Sequence, residues 1–281
     1  MSPTSPVTLR DVPGPSAVGG GWRRALELLY LIAALDFKRH YFGTALGYVW
    51  SIARPLMLFS VLLAVFTQVF RLGSEVPHYE VLLLMNIVLF SFFQEATGVA
   101  VTSIAAQEGI VRKTQFPRLV IPLAVVLTTL FNLGLNMVVV LVFLLAFGVT
   151  PMWTWLLTPF LFLALIVLTT AVSMIVSSLY PRFRDLAIIW TVFATVLFYA
   201  SPVLYPLEKV PGRLRDILML NPLSPLLELF RKWLIDPTAP GPVKLAGGWL
   251  GLLPAATIFV ATCVIAVWVF QREAPRIAEE L

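Results

Sequence analysis

Long apolar stretches set between short polar turns constrain this chain more than any other feature. They fall at 46–70, 79–103, 119–147, 153–179, 186–204 and 247–270. About 20 residues at 1.5 Å each cross roughly 30 Å of hydrocarbon, so each stretch is of spanning length. Across the 281 residues only 12% are charged and 59% are hydrophobic. A soluble domain carries about 25% charged residues to solvate its surface. The pattern predicts an all-α membrane protein with six transmembrane helices.

Residues 1–21 are rich in Pro, Gly, Ser and Thr and lack the apolar core of a signal peptide, so they read as a disordered cytoplasmic tail. The remainder, 22–281, reads as one transmembrane domain. At its start Trp22, Ala25, Leu26, Leu29, Ile32 and Ala33 share a helical face that Arg23 and Arg24 avoid. That pattern suits a helix lying in the membrane interface, or an ordinary amphipathic packing helix. Six spans put both termini on one side. With that side cytoplasmic, 13 basic residues lie inside and 7 outside, six of the seven in the loop 205–246. The short loops follow the positive-inside rule, so both termini are expected in the cytoplasm. The loop 205–246 is dense in proline yet keeps apolar runs. It reads as short helices dipping back from the outer face, or as a flexible loop.

Several chemistries are excluded. The only cysteine, Cys263, permits no internal disulfide or cysteine cluster, and His40 and His78 are isolated. No metal site and no catalytic residue is expected. The five aspartates are scattered, whereas a sugar transferase would be expected to cluster its acids. No G-x-x-x-x-G-K-[ST] loop cradles ATP phosphates. A net charge of +5 on so few charged residues reflects membrane orientation, not nucleic-acid binding. Glu95 is the main ionisable residue inside a span, and two roles suit it: a helix-packing hydrogen bond, or a place on a transport path. Gly43/Gly47 and Gly247/Gly251 are small-x-x-x-small pairs that suit either a dimer seam or packing within one chain.

The polar segments carry a resemblance. In order they read D-F-K-R-H-Y-F-G-T-A-L-G-Y-V-W-S-I-A-R-P (36–55), E-G-I-V-R-K-T-Q-F-P-R-L-V-I-P (108–122), Y-P-R-F-R-D-L (180–186), S-P-V-L-Y-P (201–206) and N-P-L-S-P (221–225). In this order and spacing the chain resembles the membrane subunit of type-2 ABC exporters for polysaccharides, the O-antigen, teichoic-acid and capsule-type permeases, over about 22–270. The resemblance implies a homodimer with a channel between its copies. Two copies of a separate ATPase subunit would dock beneath it, and ATP and Mg would belong to that partner; no cofactor is expected on this chain. It implies a cytoplasmic coupling helix at 107–118, with Gln107, Glu108, Gly109, Arg112, Lys113, Phe116, Pro117 and Arg118 facing the ATPase. It makes the interfacial helix bearing Trp22, Arg23 and Arg24 a gate helix, and the loop 205–246 a set of external re-entrant helices. Spans 1, 2 and 5 would line the channel, with Tyr48, Phe59, Phe66, Phe92, Phe93, Glu95, Phe198, Tyr199 and Tyr205 as candidates. The implied function is ATP-driven export of a lipid-linked polysaccharide across the cytoplasmic membrane of a bacterium. The alternatives are a related permease for drugs or lipids and an ion-coupled carrier.

Overall fold

The computed structural model describes residues 29, 30, 33, 47–69, 71, 73, 76–109 and 118–273; the side chains of residues 47 and 48 lie outside the description. The expected tail 1–21 falls outside the described residues. So do Trp22, Arg23 and Arg24 of the expected interfacial helix, of which residues 29, 30 and 33 are helical. Ala33 is fully buried, and its carbonyl accepts from Thr128 Oγ1 at 3.3 Å.

Among the described residues every regular element is helical. The long ones are α1 (Gly47–Gln68), α2 (Tyr79–Ala106), α3 (Val120–Ala146), α4 (Thr158–Leu179, entered through the 3-10 turn Trp153–Leu157) and, at the end, α9 (Trp249–Glu273). Five helical segments are long and apolar enough to cross a bilayer, so this is a multi-pass membrane protein. The sixth expected span is shorter. α5 (Leu186–Tyr199) has 14 residues, about 21 Å of helix, and stops five residues before the expected end at 204. Between α5 and α9 the chain folds into a cap: the turn Leu207–Lys209, α6 (Gly212–Leu218), α7 (Leu223–Phe230), the π-turn Arg231–Ile235 and α8 (Pro242–Leu245).

α2 is the hub. It packs against α1, α3, α4 and α5, and 78% of its most apolar window is buried, against 6% for α1 and 11% for α9. α9 packs on the far side of α4 and leaves Trp249, Leu250, Val260, Val264 and Trp268 exposed. The core runs along α2 through Leu83, Ile87, Phe90 and Phe93, closed by Leu133 and Val140 of α3 and Leu165 and Leu168 of α4. An apolar all-round helix is what a buried position requires. Hydroxyls inside the spans return their protons to their own helices: Thr97, Thr129, Thr169, Thr191 and Thr262 each donate to the carbonyl four residues back. These five hydroxyls are thereby paired inside hydrocarbon, whereas the buried Ser173 Oγ of α4 has no hydrogen-bond partner among the described residues.

Both ends of the bundle are defined by contacts. At the cap end lie the start of α2 and the residues 200–248. At the opposite end Ile104 of α2, Ile121 of α3 and Phe270 of α9 cluster, beside the link from α4 to α5.

Candidate functional site

The cap is held where apolar chain would otherwise leave backbone polar groups unpaired. After α5 the segment 201–206 is almost wholly buried and is not helical, and Leu207, which opens the next turn, is buried too. Irregular backbone at membrane depth is tolerated only when protein satisfies it. Two residues of α2, seven apart and therefore on one face, do this. Tyr79 Oη donates to the Leu204 carbonyl at 2.7 Å, and Asn86 Nδ2 donates to the Pro202 carbonyl at 2.9 Å. The cap supplies the rest: Glu228 Oε1 accepts from the Leu207 amide at 2.8 Å, and Asn221 Nδ2 donates to Ser201 Oγ at 2.8 Å. On its other flank Thr154 Oγ1 donates to the Trp233 carbonyl at 2.6 Å and Trp155 Nε1 to the Leu234 carbonyl at 3.2 Å.

A charge cluster closes the cap. Arg231, 2% exposed, donates through Nη2 to Glu208 Oε1 at 2.9 Å. Its Nη1 lies 3.6 Å from Glu228 Oε2, close enough for attraction but too far for a hydrogen bond. Two carboxylates therefore share one guanidinium. Burial raises the Glu228 carboxyl above the usual carboxylate range. The Leu207 amide and Arg231 pull it back down, and Glu208 adds to the rise. Protonated, Glu228 leaves a neutral Arg231–Glu208 pair in the interior.

Midway along α2, Glu95 is exposed on the protomer and accepts from Asn132 Nδ2 of α3 at 3.1 Å. Asn136 Nδ2 donates to the Asn132 carbonyl at 2.9 Å. Glu95, Gly98, Val99, Thr102 and Ala106 repeat at helical spacing and form the open face of an otherwise buried helix. Trp190 of α5 donates through Nε1 to Thr97 Oγ1 at 3.1 Å and pins α5 beside this face.

The residues expected to line a channel separate into three groups. Phe59, Phe92 and Phe93 are core side chains, with Phe59 edge-on to Phe143 at 5.8 Å. Phe66, Phe198 and Tyr205 are partly buried; Phe198 meets Phe90 at 5.2 Å, and Tyr205 Oη donates to the Tyr199 carbonyl at 2.9 Å. Tyr199 is 62% exposed and stands with Glu95 among the open positions. Tyr48 is helical in backbone only. At the far end of α2, Gln107 and Glu108 are half-buried and Gly109 is exposed, and half-buried Arg118 precedes α3. Arg112, Lys113, Phe116 and Pro117 lie outside the described residues. The Asn86 and Glu228 anchors did not stand out in the sequence; a lone Asn in an apolar span was the one available signal.

A family model described as ABC-2 type transporter matches residues 27–235, from the first helical residues through the π-turn of the cap. The chain belongs to the ABC-2 type transporter family. Among ABC-2 relatives, it is 31% identical over 213 residues to an O-antigen export system permease protein RfbA of Klebsiella pneumoniae, covering 75% of this chain and 82% of that protein. The RfbA permease of Myxococcus xanthus is 30% identical over 206 residues, covering 73% and 78%. The polysialic acid transport protein KpsM of Escherichia coli is 24% identical over 219 residues, covering 76% and 83%. The family match takes in the hub helix, the broken fifth segment and the cap as far as its π-turn.

Proposed function

We propose that this chain is the membrane subunit of an ATP-driven exporter of lipid-linked polysaccharide in the cytoplasmic membrane of a bacterium. The observation that carries the reading is its similarity, along more than three-quarters of their length, to permeases named for O-antigen and polysialic acid transport. The chain has no phosphate-binding loop of its own, so ATP and Mg belong to a separate ATPase, two copies of which serve two copies of this chain. The cap faces outside and its short helices are re-entrant. The opposite end, with 107–118 as coupling segment and both termini, faces the cytoplasm. α5 is the sixth crossing, completed by the buried stretch 201–207. Open faces on α1, α2 and α5 suit a seam between two copies, with Glu95 and Tyr199 on the path side. The gate helix bearing Trp22, Arg23 and Arg24 borders the cytoplasmic mouth.

Co-expression with the neighbouring ATPase and purification in mild detergent tests this reading. A stoichiometric complex whose ATP hydrolysis drives glycan export is expected. In Arg112→Glu with Lys113→Glu the permease is expected to fold while ATPase capture falls. Intact capture and export in that double variant would remove the coupling assignment. Transport of drugs or lipids without glycan would move the chain to the related permeases.

A further inference from the structure

The motif Y-P-R-F-R-D-L has no role in the cap or the coupling segment. It forms the tight link from α4 to α5: the Phe183 amide donates to the Leu179 carbonyl at 3.0 Å, and the Ile188 and Ile189 amides both donate to the Asp185 carbonyl at 3.0 Å. Beside this link lies an open cavity of about 560 Å³. Its polar lining is Arg182, Arg184 and Asp185, and its apolar lining includes Leu179, Leu186 and Ile189. Neither arginine forms an ion pair with a described residue, whereas Arg231 in the cap holds two carboxylates. The Arg182 guanidinium stands 5.4 Å over the Phe183 ring, which keeps it at the cavity. Asp185 is the one acid among the described lining residues, so their balance is positive. The N-terminus of α5 adds its partial positive charge.

The apolar side continues out of the cavity. Ile189, Phe193 and Val196 follow at one-turn spacing up α5 and are exposed at 60%, 49% and 58%. A soluble anion would use the guanidiniums but has no use for that stripe. An amphiphile uses both, with its charged head at the arginines and its chain along α5. Two unpaired guanidiniums match a multiply charged phosphate head better than the single charge of a glycerophospholipid diester, because each forks onto phosphate oxygens.

We propose that the α4–α5 link is a binding site for the phosphate-bearing end of a long-chain lipid, Arg182 and Arg184 holding the phosphate and the Ile189–Phe193–Val196 face holding the chain. This rests on the polysaccharide-export reading: the lipid is the carrier end of the exported substrate, captured where α5 begins.

The test is binding of a polyprenyl phosphate in mixed micelles to the full chain, read by thermophoresis, with phosphatidylglycerol and inorganic pyrophosphate as competitors. Arg182→Gln with Arg184→Gln is expected to weaken binding about tenfold or more, since each lost charge-assisted contact accounts for roughly that factor. Arg272→Gln, at the same end of the bundle over Trp268, is expected to leave it unchanged. Asp185→Asn, which removes the acid, is expected to tighten it and serves if the double variant does not elute as folded protein. Equal binding by the double variant, an equal loss in Arg272→Gln, no gain in Asp185→Asn, or full displacement by equimolar phosphatidylglycerol or pyrophosphate would each overturn the site. The binding test needs no ATPase. Arginine-dependent binding without glycan export would leave the site standing and remove the export reading; glycan export with arginine-independent binding would do the reverse.

Discussion

Glu228 and Asn86 show how single side chains hold a non-helical segment inside an apolar bundle. Glu228→Ala orphans the buried Leu207 amide and takes one of two carboxylates from Arg231. A loss of about 2–4 kcal/mol is expected, read from the thermal or denaturant midpoint in detergent. Glu228→Gln keeps an acceptor for the amide and removes the titration. The folded chain holds the Glu228 proton more tightly than the unfolded chain does. Its contribution is therefore full below the ordinary glutamate value of about 4.3 and is lost as pH rises through the higher folded value. The variant is expected to lack this part of the decline, and parallel stability–pH curves would refute the assignment. Asn86→Ala frees the Pro202 carbonyl and is expected to cost about 1–3 kcal/mol, with faster proteolysis of the cap than of the bundle. Neither anchor was legible beforehand. Each is defined by a partner more than 20 residues away, and nothing local marks that partner.

At the scale of elements, the long apolar stretches were readable because length and composition suffice for a membrane helix. Expected stretches at 119–147 and 153–179 became α3 and the turn-plus-helix ending at Leu179, within a residue or so. The stretch 186–204 looked the same in sequence but stops being helical at Tyr199, since apolarity reports burial and not backbone conformation. Pro202 and Pro206, together with the carbonyl clamps from α2, hold the rest as a series of turns and bends. The pair Gly247/Gly251 could have marked a helix seam; instead it builds the entry to α9. Gly247 and Gly248 take φ of +73° and +128°, and a Cβ on Gly251 would fall 1.9 Å from the Ala246 carbonyl oxygen. Gly251→Ala is therefore expected to displace the start of α9 and lower the detergent melting midpoint by several degrees. An unchanged midpoint would show that the turn yields without strain. Gly43 lies outside the described residues, so the other pair keeps both roles.

At the scale of the molecule, the protomer hides most of α2 and leaves one side of α5 open, with Ile188, Val192 and Tyr199 each at least 60% exposed. A 14-residue helix so uncovered suits a neighbour better than bulk lipid alone. In a Cys263→Ala background, Val192→Cys is expected to cross-link two copies in membranes, while Val260→Cys on α9 is expected to remain monomeric under the same oxidant. Equal cross-linking at both positions would place the seam elsewhere. The ABC-2 family was legible from five polar motifs in register. The buried or open placement of its aromatics was not, because phenylalanine has the same pattern facing core, lipid or path.

The clamp between α2 and the segment 201–207 also bears on how such permeases can be recombined. The buried segment that leads into the cap is held by hydrogen bonds whose donors sit on a helix more than 100 residues upstream. A chimera that grafts a relative's cap onto this bundle, while keeping its own α2, would pair each carbonyl with whatever the host helix happens to present. Hub helix and cap form one unit of exchange, so domain shuffling within this family should succeed only when both cross over together.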